Sequence, residues 1–161
     1  MSKYNDILDE LQNQNVLESY DKEWLIKVQT SSSCLTSGQL SSFSSYCGLN
    51  DYYEEIDLVT GQDSGVKGIC VSNVKVSLLR NESSVKILKS FKDNYIFSSI
   101  ELIKIMKING SYKTISRITF ATCKITNFKI FLDKMDFYFK YSDRSETYTV
   151  VDSKGATTGS C

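Results

Sequence analysis

One unit, Cys70–Thr122, limits what this chain can fold into more than any other stretch. It opens with CVSNVKVSLL, where Cys70, Val74, Val76 and Leu78 share one face of a period-two pattern, the mark of a half-buried strand. NESSVKILKSFKDN follows. Asn81, Ser83 and Ser84 are candidate N-caps, and Val85, Ile87, Leu88 and Phe91 make an apolar stripe over about three turns of helix. Next come SSIELIKIMKI, an Asn109–Gly110 turn and SYKTISRITFAT, which read as two antiparallel strands. The unit is strand, helix, strand, turn, strand, and the rest of the chain reads as strands packed onto it.

Register in the central hairpin follows from hydrophobic pairing. A three-residue loop sets Ile108 opposite Tyr112, brings Ile100 and Leu102 onto Phe120 and Ile118, and puts Ile105 opposite Ile115 on the other face. A two-residue loop would set Leu102 against Arg117 and Met106 against Lys113. The three-residue loop is therefore expected, with Gly110 or Ser111 left-handed, although it places Lys107 against Lys113. Both faces of these strands carry apolar side chains, which fits a closed or doubly covered sheet better than a hairpin with one wet face.

Before this unit, residues 1–15 suit either a short amphipathic helix through Tyr4, Ile7, Leu8 and Leu11 or a frayed strand. EWLIKVQ, from Glu23, reads as a strand with Trp24 in the core. Thr30–Asn50 is a long Ser- and Gly-rich loop in which Leu35, Leu40, Phe43, Tyr46 and Leu49 follow no clean period. A flexible linker would not need these apolar residues. The loop either folds back over its own core or buries them on another subunit, and the residues do not decide between the two. Glu54–Val59 is a short strand. Its neighbourhood of Asp51, Glu54, Glu55 and Asp57 lacks calcium-loop spacing and reads as a solvated acidic face. Thr60–Gly68 is a turn without the order of a phosphate-binding loop.

The last third is also β. KITNFKIFLDKMDFYFKY sets Met135, Phe137, Phe139 and Tyr141 on one face, and ETYTVVDS precedes a Gly/Thr/Ser tail over 153–161 that is expected to be flexible. The total is about seven strands and one or two short helices. The expected fold is mainly β: a small β-barrel or sandwich of two antiparallel sheets with one short α-helix, in a single domain over 1–161 whose segment 1–19 is poorly assigned.

Composition narrows the function. The chain has no histidine, which removes Ser–His and Cys–His nucleophile pairs and imidazole metal ligands, and no proline, so its turns rest on Gly, Asn, Asp and Ser. Lys plus Arg equals Asp plus Glu, so nothing favours phosphate and no nucleic-acid partner is expected. No apolar run reaches the length of a membrane span, and the first residues lack a signal-peptide core. Folding in the cytoplasm without membrane insertion is the expectation. Cys34, Cys47, Cys70, Cys123 and Cys161 form no CxxC pair and read as free thiols, some of them buried. No catalytic residue, cofactor or metal ligand is expected.

The order of these segments resembles the Hcp family, the haemolysin-coregulated tube proteins of bacterial type VI secretion systems. The resemblance rests on Ser83-Ser84-Val85-Lys86-Ile87-Leu88, the long strand pair after it, Asp133-Lys134-Met135-Asp136-Phe137, and the Asp152-Ser153-Lys154-Gly155 tail. It covers roughly 20–159. It implies a barrel flanked by a helix, related in fold to phage tail-tube proteins. It further implies a homo-hexamer stacking into a hollow tube, with a sheath, a spike protein and effector proteins as partners. Such a subunit is cytoplasmic and then secreted without a cleaved signal peptide. An extended early loop touches neighbouring subunits in that family, which makes Leu40, Phe43, Tyr46 and Leu49 the candidate interface residues here. Two other readings are a monomeric β-sandwich binding module and a phage-like tail-tube protein. An enzyme would need a constellation that the sequence lacks.

Overall fold

The computed structural model describes residues 22–59, 69–93, 96–151 and 157–160. The expectations for 1–15 and for the Thr60–Gly68 turn lie outside them. The strands are β1 (Lys22–Gln29), β2 (Cys47–Gly48), β3 (Asp51–Val59), β4 (Ile69–Leu79), β5 (Ile96–Ile108), β6 (Ser111–Ile130), β7 (Lys134–Val151) and β8 (Thr157–Ser160). Helix α1 (Glu82–Asp93) joins β4 to β5. The tail expected to be flexible contributes β8, which pairs with β7.

All pairs are antiparallel, in the order β2-β1-β5-β6-β7-β4-β3. The two ends of this order, β2 and β3, are consecutive in the chain. Between them the Leu49 N–H donates to the Trp24 carbonyl at 2.9 Å and the Asn50 N–H to the Ser77 carbonyl at 2.8 Å. One short segment thus bonds to both sides of the curled sheet. Of the barrel and two-sheet forms expected, this topology is the barrel: one sheet curled on itself.

Ile26, Val28, Val74, Val76, Leu78, Ile100, Leu102, Phe120, Phe137 and Phe139 fill the interior and are fully buried. Removing one such side chain from water is worth about 1.5–3 kcal/mol. Phe120 and Phe139 meet edge to face at 5.2 Å. Trp24 packs against this core but is half-buried, at its margin rather than inside it, with Lys104 Nζ 6.0 Å from its ring centre.

The alternation breaks where the sheet turns a corner. Phe97 and Ile100 both point inward, and so do Phe120 and Cys123 across from them. A strict period of two would place the members of each pair on opposite faces. The shift coincides with Thr122, a β-branched residue at φ 50°, a conformation that costs about 1–3 kcal/mol when the surrounding structure imposes it.

The hairpin corrects the expected loop. Asn109 (φ 52°) and Gly110 (φ 84°) make a two-residue turn with Ile108 opposite Ser111, as a type I′ turn requires. Met106 therefore faces Lys113 and Lys107 faces Tyr112. Farther out, Leu102 still faces Ile118 and Ile100 still faces Phe120. The register shifts between Lys104 and Ile105, leaving Ile115 without a partner across the pair. Turn chemistry sets the loop, core pairing sets the distant register, and a β-bulge absorbs the residue between them.

Helix α1 starts where expected. Asn81 Oδ1 accepts the Ser84 N–H at 2.9 Å, and Ser84 Oγ accepts the Asn81 N–H at 2.9 Å, a reciprocal cap. Its buried face differs from the expected stripe. Ser83, Ser84 and Ile87 are buried, and Leu88 and Phe91 pack against the core with Phe91 4.6 Å from Phe128. Val85 is 63% exposed and does not dock the helix. The cap and Ser83 hold the first turn against the preceding loop, which turns Val85 outward.

Candidate assembly surface

The long loop is built on hydroxyls. After β1, the Thr30 N–H donates to the Ser33 carbonyl, and the Leu35 N–H returns to the Val28 carbonyl, both at 2.8 Å. The Val28 N–H donates to Thr36 Oγ1 at 3.1 Å, and that hydroxyl donates to the Ser45 carbonyl at 2.8 Å. Ser37 N–H donates to Ser83 Oγ at 3.1 Å and ties the loop to the first turn of α1. A Cβ on Gly38 would lie 2.1 Å from the Tyr46 carbonyl oxygen, so only glycine permits this closeness. The Ser and Gly content therefore satisfies and compacts backbone that is not part of a ladder.

The loop covers the outer face of the sheet. Leu40, Phe43 and Tyr46 pack with Tyr112 over a second buried cluster, Leu25, Ile103 and Ile105. Leu49 packs instead against the main core. The four candidate interface residues thus rest first on their own subunit, and all four remain half-buried. The structure joins three of them in one patch and places the fourth elsewhere.

Beside this patch sits a carboxylate that points out of the barrel yet is buried. Glu101 meets Lys27 Nζ at 3.2 Å and Arg117 Nε at 2.9 Å. Burial opposes the Lys27 charge, but Glu101 outweighs it and holds that ammonium above its ordinary range. Burial, then the Glu101 charge, pushes the Tyr46 phenol up. Lys27 Nζ also lies 5.1 Å from the Tyr46 ring centre, so the ion cluster anchors the loop's aromatic edge.

A second cluster corrects the reading of the acidic strand. Asp51, Glu55 and Asp57 are exposed as expected, but Glu54 is not solvated. Its carboxylate receives Arg144 Nε at 2.9 and 3.1 Å, Tyr141 Oη at 3.0 Å, and the Tyr52 hydroxyl. Burial and Glu54 hold the Tyr52 phenol well above its ordinary range. Arg144 lies over the Phe120 ring and also pairs with Glu146. This knot seals the core where β3 and β4 leave the barrel. β4 pairs with β7 only over Val74–Leu79, whereas β3 follows β4 out to the Val59–Ile69 pair, so the outer half of β3–β4 is a two-stranded arm. Glu54 and Arg144 are far apart in sequence and no spacing marks them as partners.

Among the described residues no group of His, Cys, Asp or Glu is arranged to hold a metal ion, and no helix is long and apolar enough to cross a membrane. Cys34, Cys47 and Cys123 are free thiols.

No family model and no curated protein matches the sequence. Solved structures do match its shape. A type six secretion system protein superposes with a TM-score of 0.68 at 13% identity, over 86% of this chain and 91% of the other. The Hcp1 protein from the E. coli EAEC 042 pathovar gives 0.64 at 12% identity, over 86% and 97%. The secreted protein Hcp3 from Pseudomonas aeruginosa gives 0.59 at 13% identity, over 87% and 97%. The chain has the Hcp fold along nearly the whole length of these proteins.

Proposed function

We propose that this chain is a structural subunit of the inner tube of a type VI secretion apparatus. It assembles into hexameric rings that stack into a hollow tube, which a contractile sheath expels behind a spike protein, with effectors as cargo. It is not an enzyme. It folds in the cytoplasm and is secreted without a cleaved signal peptide. The observation that carries this reading is the end-to-end match to secretion-system proteins, over 86–87% of this chain and 91–97% of theirs. The sequence supports it independently through the helix start Ser83–Leu88 and the strand Asp133–Phe137.

Leu40, Phe43 and Tyr46 lie half-buried on the outer face of β1 and β5, and their remaining surface suits a contact with a neighbouring subunit. Negative-stain electron microscopy of the purified chain tests the proposal. Six-fold rings or stacks of them are expected, and a field of single particles of subunit size would refute it. Replacing Phe43 and Tyr46 together with serine is expected to weaken the rings while circular dichroism stays that of the parent. A double variant that unfolds, or that assembles as well as the parent, confines this loop to covering its own sheet.

A further inference from the structure

Charge is segregated along a chain whose total is zero. Residues 1–21, which lie outside the described residues, carry Asp6, Asp9, Glu10, Glu18 and Asp21 against a single base, Lys3. The tip of the β5–β6 hairpin, 102–118, carries Lys104, Lys107, Lys113 and Arg117 and no acid. Like charges gathered in one stretch repel one another, and a stretch of the other sign relieves both.

Register sorts the cations of the tip. Leu102 and Ile118 face the core, so Lys104, Met106, Lys113 and Ser116 continue that inward face beyond it. Trp24 lies opposite Lys104 and Tyr148 opposite Ser116, so one row across four strands reads Trp24, Lys104, Ser116, Tyr148. Lys107 is on the other face, over Tyr112, and Arg117 is held there by Glu101. Glu54 and Glu146, the acids of the inward face, are both taken by Arg144. Lys104 meets the Trp24 ring, and among the described residues no carboxylate pairs with it. The same face shows apolar surface: Trp24 and Met106 are half-buried and Tyr148 is 51% exposed.

This is also where the acidic stretch joins the barrel. Lys22 pairs with Met106, so residue 21 leaves from the edge of this face and has no distance to span.

We propose that residues 1–21 dock on the inward face of the hairpin tip of their own chain. The carboxylates of Asp6, Asp9 and Glu10 answer Lys104 and Lys113, and Tyr4, Ile7, Leu8 and Leu11 supply apolar cover for Trp24, Met106 and Tyr148. The contact lies within one copy and stands apart from the tube reading.

Lysine acetylation of the full chain at limiting reagent, read lysine by lysine by mass spectrometry, tests the contact. The comparison is between the parent and a variant carrying Asp6→Asn, Asp9→Asn and Glu10→Gln, with far-UV circular dichroism as the check on folding. Lys104 and Lys113 are expected to react about threefold or more faster in the variant, while Lys129 and Lys140 elsewhere on the barrel keep their parent rates. The same gain is expected in the parent between about 0.01 and 1 M salt, where the screening length falls from about 30 to about 3 Å. Equal rates in parent and variant, or a gain shared by all lysines, overturn the proposal. A zero-length carbodiimide cross-link on a mixture of unlabelled and 15N-labelled parent then identifies the donor. Links from Asp6, Asp9 or Glu10 to Lys104 or Lys113 within one isotope are expected. Links that join the two isotopes assign the contact to a second copy and overturn self-docking, and links to Lys129 or Lys140 instead overturn the site.

Discussion

Ile87→Ala and Val85→Ala separate the observed helix docking from the one read off the sequence. Ile87 is fully buried between α1 and the barrel, whereas Val85 is 63% exposed. Truncating isoleucine to alanine removes three carbons, about 2.4 kcal/mol of transfer free energy at about 0.8 kcal/mol each. A cavity term adds to this because the close-packed core around the site relaxes only in part, giving about 2–5 kcal/mol in all. The same change at Val85 removes atoms already in water and is expected to stay within about 0.5 kcal/mol. Urea unfolding at fixed protein concentration, followed by the fluorescence of Trp24 and by circular dichroism, reads both. The docking account is refuted if Ile87→Ala costs under about 1 kcal/mol, or if the two variants cost the same.

Glu54→Gln leaves Arg144 and the Tyr52 and Tyr141 hydroxyls around a neutral amide. A loss of about 1–3 kcal/mol in urea unfolding is expected, moderated by the remaining Arg144–Glu146 pair, and an unchanged midpoint would show that the knot does not hold the arm. Gly38→Ala drives a Cβ into the Tyr46 carbonyl and is expected to cost about 1–3 kcal/mol in the same assay, with no change contradicting the tight loop. Burial pushes the Cys47 thiol up to about 11 and the Cys123 thiol up to about 12, against 9.0 for an ordinary thiol. Their neutral forms therefore favour the fold below about pH 9, and stability falls as pH rises from there toward 11–12, by about 1.4 kcal/mol per pH unit for each thiol. Urea midpoints that stay flat from pH 8 to 11 would contradict this, and Cys123→Ala is expected to flatten the decline.

Local patterns in the sequence reported the elements well and their endpoints less well. The period-two runs around Val74–Leu78 and Met135–Phe139 and the Asn81 cap are local signals, and each appears where the pattern puts it. The hairpin held two competing signals. Ile100 and Leu102 point to one register and Asn109–Gly110 to another, and only a bulge satisfies both. Val85 and Ile87 are alike in chemistry, and their fates differ because Ser83 is fastened to Ser37, a contact across distant sequence. The long loop had no period because its apolar residues serve two surfaces: Leu49 faces the main core, and Leu40, Phe43 and Tyr46 face the outer cluster. The Glu54–Arg144 knot was hidden for the same reason as most ion pairs, since an acid among acids looks solvated until the fold supplies its base.

The central claim is that this subunit exists to assemble. Its most direct test is the solution mass of the intact, unlabelled chain by light scattering over a wide range of protein concentration and at low and physiological salt. A mass six times that of the subunit, or whole multiples of that ring, is predicted. A strictly monomeric mass at every concentration and salt would contradict it and return the chain to the class of monomeric β-barrel binding modules.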